Sequence, residues 1–131
     1  MKITNVLLMI SKICSKTYFT FFELKCKCGC DTCNVNYDAL KMLIKTRVIL
    51  DKPIILNSAY RCKLHNAAIG SKTSNHTSGK AFDIECNDGL YRLQLIKALL
   101  AAGFKRIIIY DNFIHTDCNQ FYPSGLWIKM K

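Results

Sequence analysis

Ser74-Asn75-His76-Thr77-Ser78-Gly79-Lys80-Ala81-Phe82-Asp83-Ile84-Glu85-Cys86 sets a histidine in a polar loop ahead of an aspartate in a short strand-like run. Side chains alternate faces along a strand, so Asp83 and Glu85 point one way and Ile84 and Cys86 the other. Gly79 lets the chain turn sharply between His76 and Asp83. A second strand-like run, Phe113 to Cys118, puts Phe113, His115 and Asp117 on one face, and Asp111 joins them if the strand starts that early. If the two strands are neighbours, Asp83 and His115 meet, and His76 arrives from the loop above. Two imidazoles and a carboxylate are the donor set of a catalytic zinc with one position left for water.

Outward from this stretch, the chain reads as alternating short elements. Thr20-Phe21-Phe22-Glu23-Leu24 has the spacing of a capping box. Asn36 caps a helix from Tyr37 to about Leu50, with Leu40, Leu43, Ile44 and Val48 at helical spacing. Asp51-Lys52-Pro53 ends it, and Ile54-Ile55-Leu56 reads as a buried strand. Lys63 to Ile69 forms one or two helical turns closed by Gly70. Asp88 caps a second long helix whose expected buried face is Leu90, Leu93, Ile96 and Leu100, with Gly103 as its stop. Lys105 to Tyr110 and Phe113 to Cys118 make a hairpin through Asp111-Asn112. The tail from Phe121 to Lys131 reads as irregular. Two long helices and about four short strands define an α+β class with a small antiparallel sheet.

A chain of 131 residues is expected to form one domain, here residues 18–131, behind an N-terminal extension of residues 1–17. Half of the residues are hydrophobic and 21% are charged, which excludes a disordered chain. The net charge of +10 points to anionic partners, and bacterial wall polymers suit it as well as nucleic acid. The basic residues are scattered, so no nucleic-acid arm is expected. Met1 to Ile10 carries a cation and an apolar run too short to span a bilayer. It reads as part of the extension, with a degenerate signal peptide as the alternative. No transmembrane span is expected, and a monomer is.

Eight cysteines admit several readings. Cys26, Cys28, Cys30 and Cys33 form a cluster that could hold a second, structural zinc, although the spacing lacks two CxxC knuckles. Disulfides in an oxidising compartment are the alternative, and a nucleic-acid module built on the cluster is a third reading. Cys86 and Cys118 lie on the face away from the metal, where they pair or pack as small buried hydrophobes. Asn75-His76-Thr77 is a formal glycosylation sequon, but a glycan there would block the metal, so the match is read as chance. His65 has no partner at ligand spacing and reads as a surface or packing residue.

Taken in order, Ser58-x-Tyr60-Arg61, Asn66-Ala67-Ala68-Ile69-Gly70, His76-x-x-Gly79-x-Ala81-x-Asp83 and Phe113-Ile114-His115-x-Asp117 resemble the zinc D-Ala-D-Ala carboxypeptidase family. That family shares a clan with lysostaphin-type enzymes and the hedgehog N-terminal domain. The resemblance runs from residue 18 to about 118 and is to the small single-domain members of phages and bacteria. It implies hydrolysis of peptide bonds in peptidoglycan stem peptides or cross-links, by a D,D-carboxypeptidase or an endopeptidase of endolysin type. It implies His76, Asp83 and His115 as zinc ligands, with Arg61 facing the substrate or a developing oxyanion. Many relatives carry a carboxylate three residues before the last histidine, where this chain has Asn112. Asp117 is then the expected general base and Asp111 the second choice, with Asp117 orienting a histidine as the alternative. Relatives often carry cysteines both in the cluster and at Cys62, which implies a disulfide between the two as a further option. An exported, cell-wall or phage-associated protein is the implied setting. A non-catalytic zinc-fold module that binds wall or a protein partner is the other functional reading.

Overall fold

The structure is a computed structural model and describes residues 18–131; the expected N-terminal extension lies outside the described residues. Capping chemistry sets where its helices begin. At α1 (Phe21–Leu24), Thr20 Oγ1 accepts from the Glu23 N–H at 3.3 Å and the Glu23 carboxylate accepts from the Thr20 N–H at 3.0 Å. This is the reciprocal box that the spacing predicts. Asn36 Oδ1 accepts from the Ala39 N–H at 3.0 Å to open α2 (Tyr37–Leu50). A short α3 (Lys63–Ala68) follows, then α4 (Gly89–Ala102), opened by Asp88 and closed by Gly103 at φ +108°.

The strands are β1 (Leu56–Ser58), β2 (Ala81–Glu85), β3 (Arg106–Tyr110), β4 (Phe113–Asp117) and β5 (Gly125–Lys129). They form one sheet in the order β1-β2-β4-β3-β5, antiparallel except where β5 joins β3 in parallel. Alternation divides its two faces. Phe82, Ile84, Ile107, Ile109 and Ile114 are buried in one core with Leu40 and Leu43 of α2 and Leu95 and Leu99 of α4. The two long helices pack against each other and cover that face. Asp83, Ile108 and His115 take the opposite face, where a cleft opens.

The α+β class and the two main helices are those expected, and four elements differ from their sequence reading. The tail supplies a fifth strand, because Leu126, Trp127 and Ile128 lie beside Ile107, Ile108 and Ile109. The first strand sits at Leu56–Ser58; Ile54 is buried, but Ile55 is largely exposed. The buried stripe of α4 is Leu95, Ala98, Leu99 and Ala102, while Leu90, Leu93 and Leu100 face outward and Ile96 is partly buried. This helix is apolar on nearly every side, so periodicity alone did not identify the stripe that the sheet selects. Val48 of α2 is likewise exposed. Cys86 and Cys118 pack separately, because their N–H groups bond to Asn112 O and Lys80 O at opposite ends of the β2–β4 ladder. Among the described residues, no helix is long and apolar enough to cross a membrane.

Candidate metal centre and active site

The loop carrying His76 is pinned at Gly79. Its φ is +72°, and a Cβ there would lie 2.0 Å from Asn34 O, so only glycine fits. The Gly79 carbonyl accepts from the Asn36 N–H at 2.8 Å, fastening the loop to the start of α2. The His76 carbonyl accepts from the Arg61 N–H at 3.2 Å, fastening its other side to the segment after β1.

Register does the rest. Asp83 of β2 stands directly opposite His115 of β4, so their side chains meet on the cleft face. His115 Nδ1 lies 2.9 Å from Asp83 Oδ1, and His76 Nε2 lies 3.3 Å from Asp83 Oδ2. Each ring is held by its other nitrogen. His76 Nδ1 meets the Ala59 carbonyl at 2.7 Å, and His115 Nε2 meets Asp117 Oδ2 at 2.8 Å. A neutral ring that donates to Ala59 O or Asp117 Oδ2 leaves its nitrogen facing Asp83 free for a cation, whereas a protonated ring donates on both sides. A tetrahedral zinc with bonds of about 2.0–2.1 Å holds its donors about 3.3 Å apart, and all three candidate donors lie within 4.8 Å of one another. Two neutral nitrogens and a carboxylate oxygen at this spacing fit a divalent cation.

Charge is balanced tightly among these side chains. Burial works against the Asp83 carboxylate, but hydrogen bonds from His115 and His76 and the attraction of both rings hold it well below the usual carboxylate range. Burial also works against a charged His115, yet its bonds to Asp117 and Asp83 prevail and raise its pKa to about 9. Asp117 is lowered despite burial, by hydrogen bonds from His115 and the Asn119 N–H and by the charges of His115 and Arg106.

Arg61 is buried beside this group, with Nη2 at 3.8 Å from Asp83 Oδ2. Its Nη1 donates to Asn66 Oδ1 at 2.9 Å and its Nη2 to Ser58 Oγ at 3.1 Å. Asn66 in turn donates to the Thr73 carbonyl at 2.9 Å. Ser58, Arg61 and Asn66 are therefore one hydrogen-bonded clamp. The cleft above, about 270 Å³, is walled by Arg61, Tyr110, Phe113 and Lys129.

The structure does not bring the other carboxylates to the cleft. Asp117 is fully buried; one oxygen takes the His115 ring, and the other takes Arg106 Nε at 2.9 Å and the Asn119 N–H at 3.0 Å. It lines a separate cavity of about 410 Å³ that none of the three metal candidates touches. Asp111 sits exposed at the β3–β4 turn and accepts from the Lys131 N–H at 3.0 Å. Asn75 is buried and accepts from Asn119 Nδ2 at 2.7 Å, which leaves no room for a glycan.

The cysteine cluster differs from its expected membership. Cys33 is buried in the hydrophobic core, and Cys62 takes its place beside Cys26, Cys28 and Cys30. His65 has a partner after all, with Nδ1 at 3.3 Å from Cys26 Sγ. Arg106, Tyr110 and Lys129 had no assigned part. Of these, Arg106 was within reach of sequence reasoning, since the β3–β4 hairpin pairs it with Asp117.

A comparison with curated proteins returned no match. The sequence model described as Peptidase M15 matches residues 17–117, which contain the Ser58–Arg61–Asn66 clamp, the glycine-pinned loop and the His76–Asp83–His115 group. With that match over more than three quarters of its length, the chain belongs to the peptidase M15 family of zinc metallopeptidases.

Proposed function

We propose that this protein is a zinc-dependent peptidase that hydrolyses peptide bonds in bacterial peptidoglycan. The observation that carries the reading is the Asp83 carboxylate set between His76 Nε2 and His115 Nδ1 on the floor of an open cleft, with Arg61 beside it. In this reading His76, Asp83 and His115 hold the zinc, which supplies an acidified water and a polarised scissile carbonyl when bound. The Arg61 guanidinium is locked by Ser58 and Asn66, so it can meet carbonyl charge without reorganising. Asp117 acts as a positioning residue, since both its oxygens are engaged and it holds the His115 ring in one tautomer. With Arg61 and Lys129 the cleft carries two cations, which suits stem peptides rich in free carboxylates. Action at the cell wall, by an exported or phage-associated protein, belongs to the same proposal.

A second reading, a non-catalytic zinc module that binds wall peptide, is favoured by one observation. Asp83 is the single carboxylate among the described residues that line the cleft, and it is also a metal candidate. Incubating purified sacculi with the protein, with and without chelator, separates the two. Released muropeptides identified by mass, lost on chelation and in His76→Ala and His115→Ala, establish the peptidase and show whether terminal D-alanine or a cross-link is cut. Zinc retained with no muropeptide released leaves the binding module.

A further inference from the structure

We propose that Cys26, Cys28, Cys30 and Cys62 hold a second, structural zinc ion that fixes the segment bearing Arg61. The four sulfurs lie within 4.8 Å of one another. Cys26 Sγ is 3.5 Å from Cys28 Sγ, which is 3.7 Å from Cys62 Sγ. Zinc–thiolate bonds of about 2.3 Å in a tetrahedron place sulfurs about 3.8 Å apart. A disulfide needs about 2.05 Å, and all four cysteines are unbonded.

The surroundings suit thiolates. The Cys62 N–H donates to Cys26 Sγ at 3.3 Å and the His65 N–H to Cys62 Sγ at 3.4 Å. Amide donors of this kind stabilise negative sulfur, and the His65 ring lies alongside with Nδ1 at 3.3 Å from Cys26 Sγ. Gly29, at φ +91°, lets the chain double back so that Cys28 and Cys30 face a common point despite their close spacing. Lys25, Lys27 and Lys63 flank the cysteines in sequence, with Lys25 paired to Asp31 at 2.7 Å.

The ion would join two segments far apart in the chain. Cys26 to Cys30 follow α1, whereas Cys62 directly follows Arg61 and caps α3. The Tyr60 N–H already donates to the Leu24 carbonyl at 3.1 Å, so the ion closes a loop begun by the backbone. The consequence for Arg61 rests on the peptidase reading; the metal itself does not.

Metal analysis of the purified full chain should give two zinc ions per molecule. Cobalt-exchanged protein should show a thiolate-to-cobalt charge-transfer band that persists in the His76→Ala/His115→Ala variant and disappears in Cys28→Ser and Cys62→Ser. Should the serine variants fail to fold, alkylation of the wild-type protein answers instead. The zinc-loaded form should protect these four cysteines, and prior chelation should expose them. Four freely alkylated cysteines in zinc-loaded protein, or a mass showing disulfides among them, overturns the proposal. A persistent thiolate band in a protein that releases no muropeptide would sink the peptidase reading alone. Muropeptide release without that band would sink only this one.

Discussion

His115 Nε2 lies 2.8 Å from Asp117 Oδ2, while the other ring nitrogen faces Asp83. Asp117 therefore aims the imidazole at the metal position. Asp117→Asn should weaken zinc binding about 10–100-fold, the usual effect of removing a carboxylate that orients a ligand histidine. Competition with a chromophoric chelator measures this. Unchanged zinc affinity with lost turnover would instead make Asp117 the proton acceptor.

In the metal-free protein, His115 has its pKa raised from 6.5 to about 9, so the protonated ring stabilises the fold. That contribution is complete below pH 6.5 and is lost as the pH rises toward about 9. Asp83 and Asp117 are lowered from 3.8, so their contribution is present above that value and lost as the pH falls through their folded-state values. Chelated protein should thus be most stable between roughly pH 4 and 6.5 and weaken above it. Zinc affinity should move the other way, because the ion displaces the His115 proton. Urea denaturation of chelated protein across pH tests the first claim. Titration calorimetry in buffers of different ionisation enthalpy tests the second, by the protons released.

Arg61→Lys retains a positive charge but cannot span both Ser58 Oγ and Asn66 Oδ1 as the guanidinium does. We expect kcat/KM on a muropeptide to fall by about 100-fold, the scale of losing one oxyanion donor, with zinc content unchanged. A loss of zinc in this variant would show instead that Arg61 holds the metal candidate Asp83 in place.

Gly79→Ala forces a Cβ to within 2.0 Å of Asn34 O at a φ of +72°. The strained backbone and the displaced start of α2 together should cost about 2–4 kcal/mol, read from urea denaturation. A change below about 0.5 kcal/mol would mean that the loop is not anchored there.

Much of the centre was legible because strand alternation is strict. Placing Asp83 and His115 on matching faces needed only a period of two and the assumption that β2 and β4 are neighbours, and the register puts the pair face to face. The sequence carries the Ser58, Arg61 and Asn66 motif but not its bonds, since nothing local shows Asn66 turning back onto Arg61. The failures share one cause, competition decided by distant chain. Leu90 and Leu95 are equally apolar, and only the sheet determines which faces inward. Cys33 and Cys62 are both cysteines, and the fold sends one to the core and the other to the cluster. β5 had suitable residues but no partner visible in sequence, because a parallel neighbour depends on the whole sheet.

The β3–β4 hairpin, joined through Asp111-Asn112, can zip by itself, but it contains only one of the three metal candidates. The Asp83–His115 contact closes a loop with a separation of 32 residues, and His76 adds a further segment. Such long closures come late in folding, after local contacts have formed. An ion held by these three candidates would then be captured by a sheet already built. Stopped-flow refolding should proceed at the same rate with or without zinc, whereas zinc-loaded protein should unfold much more slowly, so the metal governs how long the folded molecule lasts and not how fast it is made.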